Sequence, residues 1–208
     1  MNNILVNRIN KDITLESLEN NLYEIDDNIN VIVNIDKVCV NNCTFNLSNN
    51  SSLTINKIYN EEVIDEEITI NLNGEGSRVN YNFSTLTNND QKYVININHN
   101  NKHTISNVIN HGVVINDSKL VFEVNSRVLK GNIGSTLKQE SKIIVMDKNN
   151  SIIKPNLFID EYDVDAVHAA TIGRFSKDDI FYLESKGISK EEALKLLING
   201  FLNGHIGR

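Results

Sequence analysis

Apolar and polar residues alternate in short runs over most of this chain. Val31-Ile32-Val33-Asn34-Ile35, Leu53-Thr54-Ile55, Ile68-Thr69-Ile70-Asn71-Leu72 and Val79-Asn80-Tyr81-Asn82-Phe83 read as strands with one buried face. Tyr93 to Ile97, Thr104 to Ile109, Val113 to Ile115, Lys119 to Val124, Ser126 to Lys130, Lys142 to Met146 and Asn156 to Ile159 continue the series. Turns are predicted at Asn73-Gly74, Asn88-Asn89-Asp90, His111-Gly112, Asn116-Asp117, Lys130-Gly131-Asn132 and Asn149-Asn150. Strand starts recur about every 7 to 14 residues, a spacing that fits a sandwich, a barrel or a β-helix. The first 25 residues are ambiguous: Ile13, Leu15, Leu18 and Leu22 fit a short helix or a fraying end.

The last segment changes period from two to between three and four. Ser176 with Asp179 reads as a capping box, flanked by Phe175 and Ile180 as a hydrophobic staple, and Gly187 ends that helix. Ser189 with Glu192 repeats the signal, with Ile188 and Ala193 as the staple pair. Ala193, Leu194, Leu197, Ile198, Phe201 and Leu202 then form an apolar stripe before Gly204. A hairpin this small cannot bury both apolar faces internally, so it must dock on the β part, on a partner, or on both.

Composition sharpens the β reading. Of 36 Asn among 208 residues, 33 fall within residues 1–150. Asn is poor in an isolated strand but stacks in ladders, which a solenoid of short rungs accommodates best. The formal net charge is −7, which argues against a nucleic-acid binder that works by neutralising phosphates. No basic segment followed by an apolar run suggests a signal peptide, no run suits a membrane span, and the cytoplasm is the expected location.

Candidate chemistry is sparse. Gly74-Glu75-Gly76 and Gly131-Asn132-Ile133-Gly134 lack the Lys-Ser/Thr of a phosphate-binding loop, so the chain is not expected to bind nucleotide itself. No nucleophile elbow is present, and no catalytic role is assigned. Cys39 and Cys43 lie about 13 Å apart if the segment is extended, too far to share a metal. A turn at Asn41-Asn42 would bring them together as a thiolate pair for iron or zinc, and two small core residues is the plainer reading. His99, His103 and His111 sit by turns and form a weak metal candidate, against ordinary hydrogen-bonded histidines. His168 stands among small residues in Val167-His168-Ala169-Ala170-Thr171-Ile172-Gly173, where something packs closely. Its imidazole suits iron ligation or proton transfer.

The run from Ser118 to Phe201 resembles the B/D (SufB/SufD) family of SUF iron–sulfur cluster assembly proteins. Asp163-Val164-Asp165-Ala166-Val167-His168-Ala169-Ala170-Thr171-Ile172-Gly173-Arg174 is similar to the family signature, an acidic residue and valine, then a histidine before Ala-Thr-Val-Gly. Asp179-Ile180-Phe181-Tyr182-Leu183-Glu184-Ser185-Lys186-Gly187-Ile188 resembles its Leu-Phe-Tyr-Leu-x-Ser-Arg-Gly-Ile, Pro155-Asn156-Leu157 its Pro-Glu-Leu, and Ala193, Leu196, Leu197 and Gly200-Phe201 its final helix. The ordered series, with looser matches extending it from about residue 65 to 202, covers roughly two-thirds of the chain.

The resemblance implies a mainly β fold: a right-handed parallel β-helix with a C-terminal helical hairpin. It divides the chain into an N-terminal segment (1–30), a β-helix core (31–165) and a C-terminal ATPase-docking region (166–208). It also implies a non-enzymatic scaffold or scaffold partner that works with an ABC-type ATPase. The chain would be a homodimer or a heterodimer with a B-type scaffold, served by a cysteine desulfurase system, and would hold an iron–sulfur cluster transiently. His168 would lie at the protomer interface near the nascent cluster, with Glu140 as a carboxylate candidate. Phe175, Phe181, Tyr182, Leu194, Leu197 and Phe201 would dock the ATPase. Two departures qualify this. The B-type scaffold has a cysteine after a glutamine where Gln139 is followed by Glu140, and a glutamate where this chain has Ala169, so the pattern is closer to D-type. Typical members also carry a long N-terminal region that is mostly missing here. The alternatives are a structural β-helix paralogue without cluster chemistry and a metal-dependent enzyme built on the three clustered histidines.

Overall fold

A computed structural model describes residues 6–37, 41–60, 64–147 and 150–204. The strands in chain order are β1 (Val6–Ile9), β2 (Ile13–Leu15), β3 (Leu22–Ile25), β4 (Asn30–Ile35), β5 (Asn42–Leu47), β6 (Ser52–Tyr59) and β7 (Ile64–Leu72). They continue with β8 (Arg78–Thr87), β9 (Gln91–His99), β10 (Ile105–Val114), β11 (Leu120–Val128), β12 (Ser135–Val145), β13 (Ile152–Ile159) and β14 (Val164–Gly173). Two helices follow, α1 (Lys177–Ser185) and α2 (Lys190–Asn203).

Odd-numbered strands form one seven-stranded sheet and even-numbered strands the other, each in sequence order. Every pairing is parallel. Each odd–even pair of strands is one rung of a two-sheet parallel β-solenoid, which removes the sandwich and barrel alternatives. The first residues are strands and not a helix: β1, β2 and β3 pair with the rungs above, and Leu18 is buried in the turn between them. Local spacing could not foresee this, because the next rung supplies the stabilising pairs.

The alternation works as predicted. In β4, β5, β6 and β7 every second residue is buried, and these side chains fill the space between the sheets. A cluster of rings sits mid-solenoid: Phe83 lies 4.5 Å from Tyr93, 5.4 Å from Tyr59 and 5.8 Å from Phe122. Such edge-on pairs add to area burial.

The outward-facing asparagines form ladders. Asn46 donates to Glu24, Asn71 to Asn46 and Asn98 to Asn71, at 2.7–2.8 Å. Asn96 donates to Glu67, Asn125 to Asn96 and Asn156 to Asn125, at 2.7–2.9 Å. On the even sheet, Asn82 donates to Asn56 and Asn56 to Asn34. Every amide points its N–H toward the preceding rung, so the dipoles align. Glu24 and Glu67 place a carboxylate at the positive foot of two of these ladders, as an anion does at a helix N-terminus.

Three expectations from the sequence need correction. His111-Gly112 is no turn; both lie within β10. Gly112 is small for space: a Cβ there would sit 2.2 Å from Leu120 Cδ2 and 3.2 Å from the Phe122 ring. Strand β12 begins at Ser135, earlier than expected, because its inward residues Ser135, Gln139 and Ser141 are polar and hide the alternation. Val164–Gly173 is also a full strand, so the solenoid extends to Gly173 and the helical part begins at Lys177.

Both N-cap residues were marked by the sequence, but the capping box expected of Ser176 with Asp179 is a simple cap. Ser176 caps α1 through the Asp178 N–H, and Ser189 with Glu192 forms a complete capping box on α2. Gly187 takes φ 85°, and the Ile188 and Gly187 N–H groups bond the Leu183 and Glu184 carbonyls, a Schellman ending.

Candidate functional site

The residues expected to act together fall on different faces. In the pairing of β12 with β14, Gln139 is opposite His168 and Glu140 is opposite Ala169. Paired residues of parallel strands share a face. Gln139 is buried between the sheets, so His168 belongs to the inward row of the last rung, with Ala166 and Ala170 on either side. No rung beyond β14 covers that row among the described residues, and His168 is exposed. Beneath it, the Gln139 amide nitrogen donates to Ser126 Oγ at 2.7 Å and to the Asn156 carbonyl at 3.3 Å. Its Oε1 is buried with no donor.

Glu140 points the other way. On the outer face its carboxylate accepts from Lys142 Nζ at 2.6 Å and lies 3.9 Å from His111 Nε2. The Lys142 hydrogen bond holds the carboxyl below its usual range, so it is ionised at neutral pH. The two cluster-site candidates, His168 and Glu140, therefore lie on opposite faces of the even sheet.

The three clustered histidines also separate. His99 is fully buried between the sheets, with Nδ1 2.8 Å from Thr104 Oγ1 and Nε2 2.9 Å from Ser106 Oγ. Burial pushes its pKa down to about 4. His103 is an exposed turn residue with φ 55°. His111 lies on the outer face under α2, its Nδ1 donating to the Phe201 carbonyl at 2.8 Å. Burial lowers its pKa first of all, against the upward pull of that carbonyl. Among the described residues no group of three or more His, Cys, Asp or Glu side chains converges for a metal. Cys43 is buried, and desolvation, with Glu66 adding to it, pushes its thiol up to about 12, far from a reactive thiolate. Cys39 lies outside the described residues.

One feature went unread in the sequence. Lys57, wholly buried, makes an ion pair with Glu66 inside the solenoid and donates to the Tyr81 hydroxyl at 3.0 Å. The rings of Tyr59, Phe83, Tyr81 and Tyr93 surround its ammonium at 4.8–5.9 Å. Burial lowers the Lys57 pKa, and Glu66 opposes that shift. The signal was present, because Lys57 and Glu66 both occupy inward positions of their alternating runs.

The docking residues divide by position along the hairpin. Phe201 stacks on His111 with centroids 4.4 Å apart and planes within 8°, and Phe175 meets Phe201 edge-on at 6.2 Å. Both therefore serve this chain's own base. Leu194 and Leu197 are half-buried, while Phe181 and Tyr182 are 72% and 60% exposed.

The SUF system FeS cluster assembly, SufBD core domain, family matches residues 21–201. The chain belongs to the SufB/SufD family. It is 33% identical to the iron–sulfur cluster assembly protein SufD of Bacillus subtilis over 139 residues, which span 65% of this chain and 32% of that protein. It is 31% identical to SufD of Escherichia coli over 93 residues, 44% of this chain and 22% of the relative. A SufBD family protein of Pyrococcus horikoshii is 30% identical over 97 residues, 46% of this chain and 20% of its own length. The matched segments thus span a third or less of these relatives.

Proposed function

We propose that this chain is a non-catalytic SUF assembly component that presents the open last rung of its solenoid to a second subunit and its hairpin to an ABC-type ATPase. The observation that carries this reading is the last rung itself. β13 and β14 each end a sheet, and their outer backbone edges meet no strand among the described residues. Val167, Ile172, Phe158 and Ile159 are exposed on that rung. An apolar sheet edge left open is a template for pairing with another chain. His168 stands in the middle of β14 with the unpaired Gln139 oxygen beneath it.

In this reading an iron–sulfur cluster is the cargo. The chain offers His168 at the open rung, and Glu140 faces away from it, so a partner must complete the ligand set. A thiolate from a B-type subunit is the chemically suitable supplement. The protruding Phe181 and Tyr182 side chains favour the docking of the ATPase. ATP-driven movement would then act on the dimer by contacting its two states unequally.

Size exclusion with light scattering, on this protein alone and mixed with the SUF ATPase of the same organism, tests the assembly. A dimer that co-elutes with two ATPase subunits is expected. A chain that ignores the ATPase both without nucleotide and with ATP would overturn the docking half. Anaerobic reconstitution with iron and sulfide tests the cargo half. Cluster absorbance should fall with His168→Ala and persist with Glu140→Gln. A chain that takes up no cluster, alone or with a B-type subunit, would instead support the structural paralogue.

A further inference from the structure

The hairpin is fastened to the solenoid at one end. In an antiparallel pair the start of α1 and the end of α2 lie together, and the covalent link from β14 enters there through residues 174–176. The hydrogen bonds and ring contacts that tie α2 to the even sheet go to its last turn. The Phe201 carbonyl accepts from His111 Nδ1 at 2.8 Å, and the Leu202 carbonyl accepts from Ser84 Oγ at 2.6 Å. The last carbonyls of a helix have no partner within it. Two solenoid side chains therefore cap α2, and the Phe201 ring lies flat on His111.

Beyond that turn, α2 buries Ala193 and half-buries Leu194, Leu197 and Ile198. α1 buries no residue, and its Phe181 and Tyr182 are exposed. Fourteen helical residues make α2 about 20 Å long, held through its final turn. A cleft of about 520 Å³ lies between that turn and the sheet. Gly200, Phe201 and Gly204 border it on the helix side, and Glu140 and Lys142 on the sheet side. A Cβ at Gly200 would meet nothing within 4 Å, so the helix does not seal the cleft.

We infer that the hairpin is a lever hinged at its base, with His111 and Ser84 as its pins, and that its swing opens and closes the cleft over Glu140 and Lys142. A stiff helix pinned at one end converts a push at the distant turn into rotation at the pins. His111 sits beside Glu140 and is in register with Lys142, so rotation of Phe201 reaches both. If an ATPase grips the hairpin, this joint is where its movement enters the solenoid. The inference itself needs no ATPase.

Amide hydrogen exchange on the full chain alone provides the test. His111→Ala should speed exchange in α1 and α2 roughly tenfold, the effect of losing one capping bond, and adding Ser84→Ala should multiply it further. Strands β3 to β9 should keep wild-type exchange. His111→Gln keeps a donor for the Phe201 carbonyl and should recover part of the protection. Gating is read by amine-labelling rates. Ser84→Ala leaves the groups beside Lys142 intact, yet should raise labelling of Lys142 several-fold and leave Lys138 on the same strand unchanged. Unchanged hairpin exchange in His111→Ala would overturn the hinge, as would an equal rise in every strand. Faster hairpin exchange with unchanged Lys142 labelling would overturn the gate. None of these outcomes depends on ATPase binding, so a failure here and a failure to co-elute with the ATPase remain distinct.

Discussion

The last two rungs of the even sheet carry nearly the same inward pattern and meet different fates. β12 turns Ser135, Leu137, Gln139, Ser141 and Ile143 inward, and all are buried. β14 places Val164, Ala166, His168, Ala170 and Ile172 opposite them in register, yet His168, Ala170 and Ile172 are exposed. The backbone is extended in both strands, and the difference lies in the neighbour. β12 has a strand on each side, whereas β14 has one. Alternation therefore marks which face belongs to the interior, but burial requires another rung, or another subunit, to cover it.

The covered interior should respond most strongly to perturbation at its buried ion pair. Lys57→Met leaves Glu66 without its ammonium in a ring-lined site and should cost roughly 3–5 kcal/mol. Lys57→Met combined with Glu66→Leu should return to within about 2 kcal/mol of wild type. Urea unfolding of the three proteins checks this. A Lys57→Met variant as stable as wild type would show that the interior tolerates a lone carboxylate.

The second prediction compares register neighbours. Ile143, fully buried, is paired with Ile172, which is 47% exposed. Ile143→Ala should cost roughly 2–5 kcal/mol, and Ile172→Ala less than about 1 kcal/mol in the isolated chain. If a second subunit covers the last rung, Ile172→Ala should weaken the dimer in analytical ultracentrifugation. Equal losses of folding stability at both positions would dissolve the contrast between the rungs.

Acid should reach the covered interior through its buried histidine. His99 has a folded pKa of about 4 against 6.5 when unperturbed, so the unfolded chain takes up a proton first as the pH falls. Stability should therefore be full above about pH 6.5 and decline by about 3 kcal/mol in all as pH falls through about 4. His99→Asn should flatten that decline. Denaturation midpoints between pH 7 and pH 4 decide the point.

Much of the fold was legible because its determinants are local. Inward Ile, Val, Phe and Tyr at alternate positions marked most strands, and Ser189 with Glu192 and Gly187 marked the hairpin to within a residue or two. The asparagine excess also pointed correctly to ladders, since the same amide recurs at the same height of successive rungs. Misreadings came where two causes share one residue type. Gly112 signals a turn by propensity but is demanded by the nearness of Leu120 and Phe122. Ser135, Gln139 and Ser141 look like surface residues but fill a polar interior bonded within itself. The candidate site was legible only in part. His168 was singled out by the family signature and Glu140 by its place after Gln139, where the B-type scaffold has a cysteine; that the two lie on opposite faces follows only from the pairing of β12 with β14.

The sequence by itself determined the period of most segments, the N-cap residues of both helices and the family resemblance, because propensity, alternation and motif order are properties of neighbours along the chain. Only the tertiary structure decided facing and company. A shift of one residue between Gln139 and Glu140 reverses the face of a strand, and that parity depends on pairing with β10 and β14. The same pairing sends Glu140 to the outer face beside His111, and leaves His168 on the rung that no strand of this chain covers.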